Sequence, residues 1–135
     1  MLRLLGVYFI LTISLLHGAV DQTPEDNKYN VREWIAINEQ IIQILHRAEA
    51  AFAAGDYTEA VDNYAQILKL NSNDLKARDA YQQALKAKNL AELIQNEYQF
   101  SNYQDALSSL KELQQLNPQD RNFQDYFIKF IFKAG

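Results

Sequence analysis

The feature that most constrains the fold is a long interval without helix-breaking residues. Neither glycine nor proline occurs between Asp56 and Asn117. Because these two residue types interrupt helices most strongly, long continuous helices are permitted across the whole interval. Gly55 is the one glycine that lies away from the ends of the chain, so it is expected to mark a turn between helices.

The periodicity of apolar residues from Asn30 onward is that of a helix. Asn30 and Glu33 have the spacing of a capping box, and Gly55 would end the helix. The apolar residues between them recur every three or four positions, which predicts a single stripe on one face. The stripe consists of Trp34, Ile37, Ile41, Leu45, Ala48 and Phe52.

Capping residues and turns predict four further helices. Asp56 and Asn102 each stand at the start of an apolar helical pattern, where their side chains can accept from free amide groups. The polar run 71–74 predicts a turn, and the uninterrupted stretch 75–100 predicts one helix of about 25 residues. Residues 117–120, Asn-Pro-Gln-Asp, are predicted to start the last helix with a cap followed by proline.

The first twenty residues differ from the rest of the chain. Arg3 precedes an apolar run at 4–16, and Asp21 follows it. This order is typical of an export signal that enters the membrane with its N-terminus on the cytoplasmic side. A cleaved signal peptide, an uncleaved membrane anchor and a buried core helix remain alternatives for residues 1–20, and residues 21–29 are interpreted as a polar linker. We therefore expect an exported protein, whether periplasmic, secretory or membrane-associated.

Composition excludes several classes of function. Apolar residues make up 48% of the chain and charged residues 22%, which is typical of a globular domain. The net charge is −4 and no cluster of Lys and Arg occurs, so a nucleic-acid-binding surface is not expected. The absence of cysteine excludes disulfides and thiolate metal sites.

Two stretches of the sequence can be aligned as an internal repeat. Residues 51–71 parallel residues 97–117, and both contain an aromatic residue, a turn, a second aromatic residue and a small alanine before a terminal Leu-Asn. The matched pairs are Phe52 with Tyr98, Tyr57 with Tyr103, Ala60 with Ala106, and Leu70-Asn71 with Leu116-Asn117. This pattern resembles the tetratricopeptide repeat (TPR).

The resemblance implies an all-α fold, an antiparallel helix-hairpin (TPR-like) solenoid of about two and a half repeats, with an N-terminal hydrophobic helix. The repeats would occupy residues 30–117, and residues 118–135 would form a C-terminal apolar helix, the start of an incomplete third repeat. The two turns, at residues 55 and 101, lie 101 − 55 = 46 residues apart, whereas TPR units repeat every 34 or so. An elongated first helix in the second repeat would absorb the difference.

The last predicted helix is apolar around most of its circumference. Its stripe comprises Phe123, Tyr126, Phe127, Phe130 and Ile131, and Ile128 and Phe132 widen it. Since a terminal helix of a repeat array normally has a polar outer face, we expect a partner helix, a second copy of the chain or a membrane surface to cover it. The alternative is that the helix folds back as an apolar cap on the preceding pair.

Neither catalysis nor cofactor binding is predicted. His46 is the only histidine outside residues 1–20. With Glu49 it offers too few groups for a metal site, and no nucleophile, base and acid can be assembled without a second histidine. The Lys and Asn that some TPR domains use to hold a C-terminal carboxylate are also missing near His46. A groove lined by first-helix side chains could still bind a helix or an extended segment; its candidate residues are Trp34, Gln40, Gln43 and Arg47.

The sequence therefore predicts a protein–protein interaction scaffold or adaptor, not an enzyme, that acts at or beyond a membrane within a larger assembly. Its partners would be proteins, with self-association through the C-terminal helix as one form. Two alternatives remain. One is a membrane-anchored receptor for cargo peptide segments, and the other is a non-catalytic accessory subunit of an envelope enzyme complex.

Overall fold

A computed structural model describes residues 24–134, and the regular secondary structure of this part of the chain consists of α-helices alone. The five helices are α1 (Pro24–Ala54), α2 (Tyr57–Leu70), α3 (Leu75–Gln99), α4 (Tyr103–Leu116) and α5 (Phe123–Ala134). The predicted all-α class is confirmed for these residues. The predicted signal peptide, membrane anchor or N-terminal hydrophobic helix at residues 1–20 lies outside them. Within the described residues, no helix combines the length and hydrophobicity needed to span a membrane.

Two predicted helix starts are wrong. α1 begins at Pro24, so residues 24–29 of the expected linker are helical and Asn30 is not a cap. Proline is well suited to the first turn of a helix, because its missing N–H has no intrahelical partner there. At the other end, residues 118–122 form turns, and α5 begins only at Phe123.

The other caps follow the sequence more closely. The Asp56 side chain accepts from the amide of Glu59 at 3.1 Å, and the Asp74 side chain accepts from the amide of Ala77 at 3.0 Å. Asn102 is at the N-cap of α4, as predicted, but its side chain makes no capping hydrogen bond.

Residues 41–134 belong to one compact unit, and residues up to 40 belong to another. Within the unit that starts at residue 41, consecutive helices are joined by short connections, which makes neighbouring helices antiparallel. α3 has 25 residues, whereas α2 and α4 have 14 each. At 1.5 Å per residue, α3 is about 37 Å long and can accommodate α2 along its first half and α4 along its second.

Two hydrophobic clusters divide α3 in this way. In the first cluster, Ala77 and Ala84 of α3 join buried residues of α1 and α2. In the second, Ala87, Leu90 and Ile94 of α3 join buried residues of α4 and α5. Phe52 packs against both clusters. The elongated helix expected from the spacing of the turns is therefore present, and it serves two cores.

The aligned sequence stretches adopt matching local structures. Ala60 and Ala106 are both fully buried. The Phe52 and Tyr57 rings pack edge to face with centroids 5.5 Å apart, and the matched rings of Tyr98 and Tyr103 pack in the same way at 5.5 Å. The architecture of residues 41–134 is therefore repeat-like.

Candidate interaction surface

A buried polar network holds the start of α5 against the turn between α1 and α2. The Tyr57 hydroxyl donates to Oδ2 of Asp120 at 2.6 Å. Asn117 Nδ2 donates to the carbonyl oxygen of Phe52 at 2.6 Å and lies 3.1 Å from the Tyr57 hydroxyl oxygen. Tyr57 and Asn117 are only 5% and 3% exposed. Since hydrogen bonds shielded from water are costly to lose, this network, the Tyr57–Asp120 latch, fixes where α5 begins.

Gly55 leaves room for the latch. Its φ is +83°, a left-handed conformation that glycine adopts with little strain. A Cβ atom at this position would lie 2.9 Å from both carboxylate oxygens of Asp120. The turn therefore requires glycine for two reasons, its backbone conformation and the close approach of a carboxylate from the α4–α5 connection.

Burial also raises the pKa of two tyrosine hydroxyls, those of Tyr57 and Tyr64. Burial raises the pKa of Tyr57 well above its usual range, and the hydrogen bond to Asp120 raises it further. The pKa of Tyr64 is also raised, chiefly by burial and then by the negative charge of Glu49. Tyr57 therefore remains a protonated donor to Asp120 throughout the neutral range.

The inner face of α5 is covered by this chain. Phe130 is 1% exposed, and its ring centroid lies 5.0 Å from that of Tyr98. Tyr126 packs beside Phe130 at 5.9 Å, and its hydroxyl accepts from Nε2 of Gln95 at 3.0 Å. Phe130 was predicted to contact a partner, but it belongs to the core because the latch seats α5 against α3 and α4.

Phe123 and Phe127 complete the inner face. Their rings stack with centroids 5.7 Å apart, and both are half-buried against the second cluster. The expectation that α5 folds back on the preceding helices thus describes this face, although the edges of Phe123, Tyr126 and Phe127 remain accessible.

The outer face of α5 is apolar and open to solvent. Ile128 is 54% exposed, Ile131 45% and Phe132 82%. These three residues, hereafter the outer patch, have the spacing i, i+3 and i+4 and therefore form one contiguous surface on the helix. Of the predicted α5 contact residues, Ile131 belongs to it, whereas Ile128 and Phe132 had been noted in the sequence only as widening the stripe.

One charged residue, Asp125, borders the outer patch, whereas Lys133 lies further around the helix, towards Tyr126. Asp125 and Lys133 are exposed and take part in no ion pair with any residue that the structure describes. Lys129 instead lies over the Tyr98 ring, with Nζ 4.9 Å from the centroid. Such a cation–π contact holds Lys129 against the inner side of the helix.

The four residues predicted to line a groove on the first helix are all exposed. Gln43 and Arg47 are exposed and lie one helical turn apart on α1. Trp34 and Gln40 lie in the unit that ends at residue 40; both are exposed, and the Trp34 carbonyl accepts from Asn38 Nδ2 at 2.7 Å.

Sequence reasoning missed two features. One is a recess of about 80 Å³ beside the latch, bordered by Gln95, Asp120 and Tyr126 among others. The other is the exposure of two apolar residues at the two ends of α3, Leu75 and Phe100. The matched Asn71–Asp74 and Asn117–Asp120 segments were a signal that the α4–α5 connection had a structural role, but not that it reached Tyr57.

Comparison with known proteins adds no relative: no family model, no curated protein and no solved structure matches the chain. Among the residues described, no three histidine or acidic side chains are grouped closely enough to hold a metal ion.

Proposed function

We propose that this chain is a protein-interaction scaffold of TPR-like construction that acts at or beyond a membrane, with the outer patch as its protein-contacting surface. The observation that carries the proposal is the exposure of Ile128, Ile131 and Phe132 on a helix whose opposite face is already packed. Contiguous apolar surface of this kind, on the order of 300 Å², is often functional in soluble proteins.

The repeat-like geometry supports the TPR-like part of the proposal. Two turns, two edge-to-face aromatic pairs and two buried alanines occur at matched positions. Helical repeats stack their units through such contacts and present side chains of successive helices to partners. The length of α3 departs from a standard array, because its first half packs with α1 and α2 and its second half packs with α4 and α5.

The membrane-related part of the proposal rests on sequence. Arg3, the apolar run at 4–16 and Asp21 have the order of an export signal. Either a cleaved signal or a retained anchor is consistent with this order, and the intact mass of the natural protein would distinguish them by about 19 residues.

Site-specific photocrosslinking tests the interaction surface. The photoreactive residue p-benzoylphenylalanine would be placed at position 132, and at position 104 as a control, because Gln104 is exposed on α4 outside the outer patch. After irradiation of cells that naturally produce the protein, mass spectrometry would identify the adducts. We expect discrete protein adducts from position 132 that disappear when Ile128→Asp is added.

Two results would contradict the proposal. One is the absence of protein adducts at position 132, and the other is the same set of adducts from positions 132 and 104. Circular dichroism of Ile128→Asp should match the parent, because Ile128 lies outside the core.

A further inference from the structure

The recess beside the latch combines an apolar wall with a single charged group. The wall includes Ile94, Leu110 and Leu113, all of which are buried in the second cluster. Asp120, which is half-buried, is the one residue of the lining that carries a charge. Because binding recesses pair apolar walls with a few polar groups that orient the ligand, a ligand that fits here has a short apolar segment and a positive charge.

The Asp120 carboxylate can accept further hydrogen bonds. Its Oδ2 accepts from the Tyr57 hydroxyl at 2.6 Å, and its Oδ1 accepts from the Asn122 amide at 2.9 Å. Both donors are neutral, and within residues 24–134 no Lys, Arg or His forms an ion pair with this carboxylate. Since an ionised carboxylate has about four acceptor sites, each oxygen can accept from one more donor. A cationic donor would also offset the cost of partly burying the charge.

The size of the recess limits the ligand. Its volume is about 80 Å³, whereas a benzene ring occupies a cavity of about 150 Å³. The recess therefore accommodates a chain of about five non-hydrogen atoms but not a whole aromatic ring.

The surroundings of Asp120 favour an ammonium group over other cations. A hard metal ion takes about six oxygen ligands, and the recess supplies one carboxylate. A guanidinium group forms paired hydrogen bonds with both oxygens of a carboxylate, but each Asp120 oxygen already accepts one bond. An ammonium group is a compact point charge and needs only one remaining acceptor site.

We propose that the recess binds a primary alkylammonium group, with the ammonium against Asp120 and a short methylene stem against the apolar wall. The Tyr126 hydroxyl and the carboxamides of Gln95 and Gln114 also line the recess, and their oxygens can accept from the remaining ammonium N–H groups. A lysine side chain of a partner protein and a small free amine both present this chemistry.

This site is separate from the outer patch. Phe123 and Tyr126, the α5 residues that line the recess, belong to the inner face of the helix. The inference therefore goes beyond the proposed function and can be tested independently of it.

Nuclear magnetic resonance titration of the whole chain tests the site, with n-butylammonium as the probe. Gly55 lines the recess, so its amide resonance should shift, with a dissociation constant on the order of 1 mM for so small a ligand. n-Butanol has the same stem without the charge, and butyrate has the opposite charge. Both should bind at least about tenfold more weakly, because neither offers a charged donor to the carboxylate.

Two adjacent glutamines provide a matched pair of variants that leave the latch intact. Gln114 lines the recess, whereas Gln115 is exposed on α4 and does not. Gln114→Lys should weaken binding of n-butylammonium about fivefold or more, because the new ammonium repels the probe and competes for Asp120. Gln115→Lys should weaken it less than about twofold in about 150 mM salt, which screens more distant charges.

Removing the negative charge provides a second test. Asp120→Asn should reduce the affinity for n-butylammonium to that of n-butanol, with circular dichroism to check that the variant is folded. N-acetyl-lysine N-methylamide distinguishes the two sources: tighter binding than n-butylammonium would support a lysine of a partner protein, and equal or weaker binding would support a free amine.

Three results would overturn the inference: n-butanol binds as tightly as n-butylammonium, Gln114→Lys and Gln115→Lys have equal effects, or the Gly55 amide shifts with none of the probes. Each of them leaves the photocrosslinking from position 132 unchanged, so the proposed function stands or fails separately.

Discussion

The two matched turns of this protein have similar sequences and different surroundings. The turn at Gly55 is covered by the α4–α5 connection, with the Asp120 carboxylate directly against it. The matched turn at Ser101 also has a left-handed backbone, with φ +63°, but Ser101 is exposed, and the Tyr103 hydroxyl reaches only its Oγ at 3.3 Å. Both matched turns contain a left-handed residue, so this conformation is shared by the two repeats. Only the turn at Gly55 also needs the absence of a side chain, because Asp120 of the α4–α5 connection lies against it.

The largest difference between the two turns should appear when each receives an alanine. Gly55→Ala introduces left-handed strain and a clash with Asp120, and we expect the free energy of unfolding to fall by about 3 kcal/mol. Ser101→Ala keeps the existing Cβ and should change it by less than about 0.5 kcal/mol. Urea denaturation followed by circular dichroism measures both.

A double variant separates the two causes at Gly55. Adding Asp120→Ala to Gly55→Ala should cost less than the sum of the single changes, because the clash disappears while the strain remains. Additive effects would show that the carboxylate does not press on this turn.

The next largest difference should follow removal of the two tyrosine hydroxyls. Tyr57→Phe deletes a buried hydrogen bond to a carboxylate and should destabilise the protein by about 2 kcal/mol. Tyr103→Phe deletes only the long, exposed contact to Ser101 and should have an effect near zero. Equal losses in chemical denaturation would mean that the latch is not what distinguishes the turns.

Alkaline pH should reveal the same contrast. The pKa of Tyr57 is raised in the folded state above its usual value of 10, so above pH 10 the unfolded chain loses this proton while the folded chain retains it. The contribution of Tyr57 to the free energy of unfolding is complete below pH 10. Above pH 10 it falls as pH rises, by up to about 1.4 kcal/mol per pH unit.

Tyr57→Phe should make the free energy of unfolding fall less steeply with pH above pH 10, and Tyr103→Phe should leave this slope unchanged. Tyr64 also has a raised pKa, so part of the slope should persist in both variants. The comparison requires denaturation curves between pH 9 and pH 11; equal slopes in the parent and in Tyr57→Phe would be evidence against the raised pKa.

The smallest effect should be a gain in stability. Ser101→Gly relieves the left-handed strain at the open turn but makes the unfolded chain more flexible, and we expect a net gain of about 0.5 kcal/mol. A shift of the thermal midpoint to lower temperature would contradict this and would imply that the contact between Ser101 and Tyr103 matters.

Local signals were enough to predict much of the fold. α2 and α4 could be read from capping residues, helical periodicity and the repeat of aromatic residues and alanine, all of which act within a few residues of each other. The start of α5 was misassigned because Asn117 and Pro118 look like a local cap. Asn117 instead donates to Phe52, which lies 65 residues earlier, and no local pattern contains that information.

The candidate site was harder to predict for a related reason. A helix that is apolar on most sides does not reveal which side faces the core. Phe130 and Phe132 have the same side chain and lie two residues apart, yet one is buried and the other exposed. Contacts far away in the sequence decide between them: the Tyr57–Asp120 hydrogen bond holds the α4–α5 connection, and Tyr98 packs against the Phe130 ring.

The shared helix α3 makes the stability of the two halves interdependent. Its residues pass from the first core to the second within one turn, between Ala84 and Ala87. If either half unfolds, one end of α3 loses its packing contacts, and the other half is destabilised because it packs against the same helix. Force applied to α5 is therefore carried along α3 to α2 and to residues 41–54 of α1, so we expect residues 41–134 to respond as a single mechanical element.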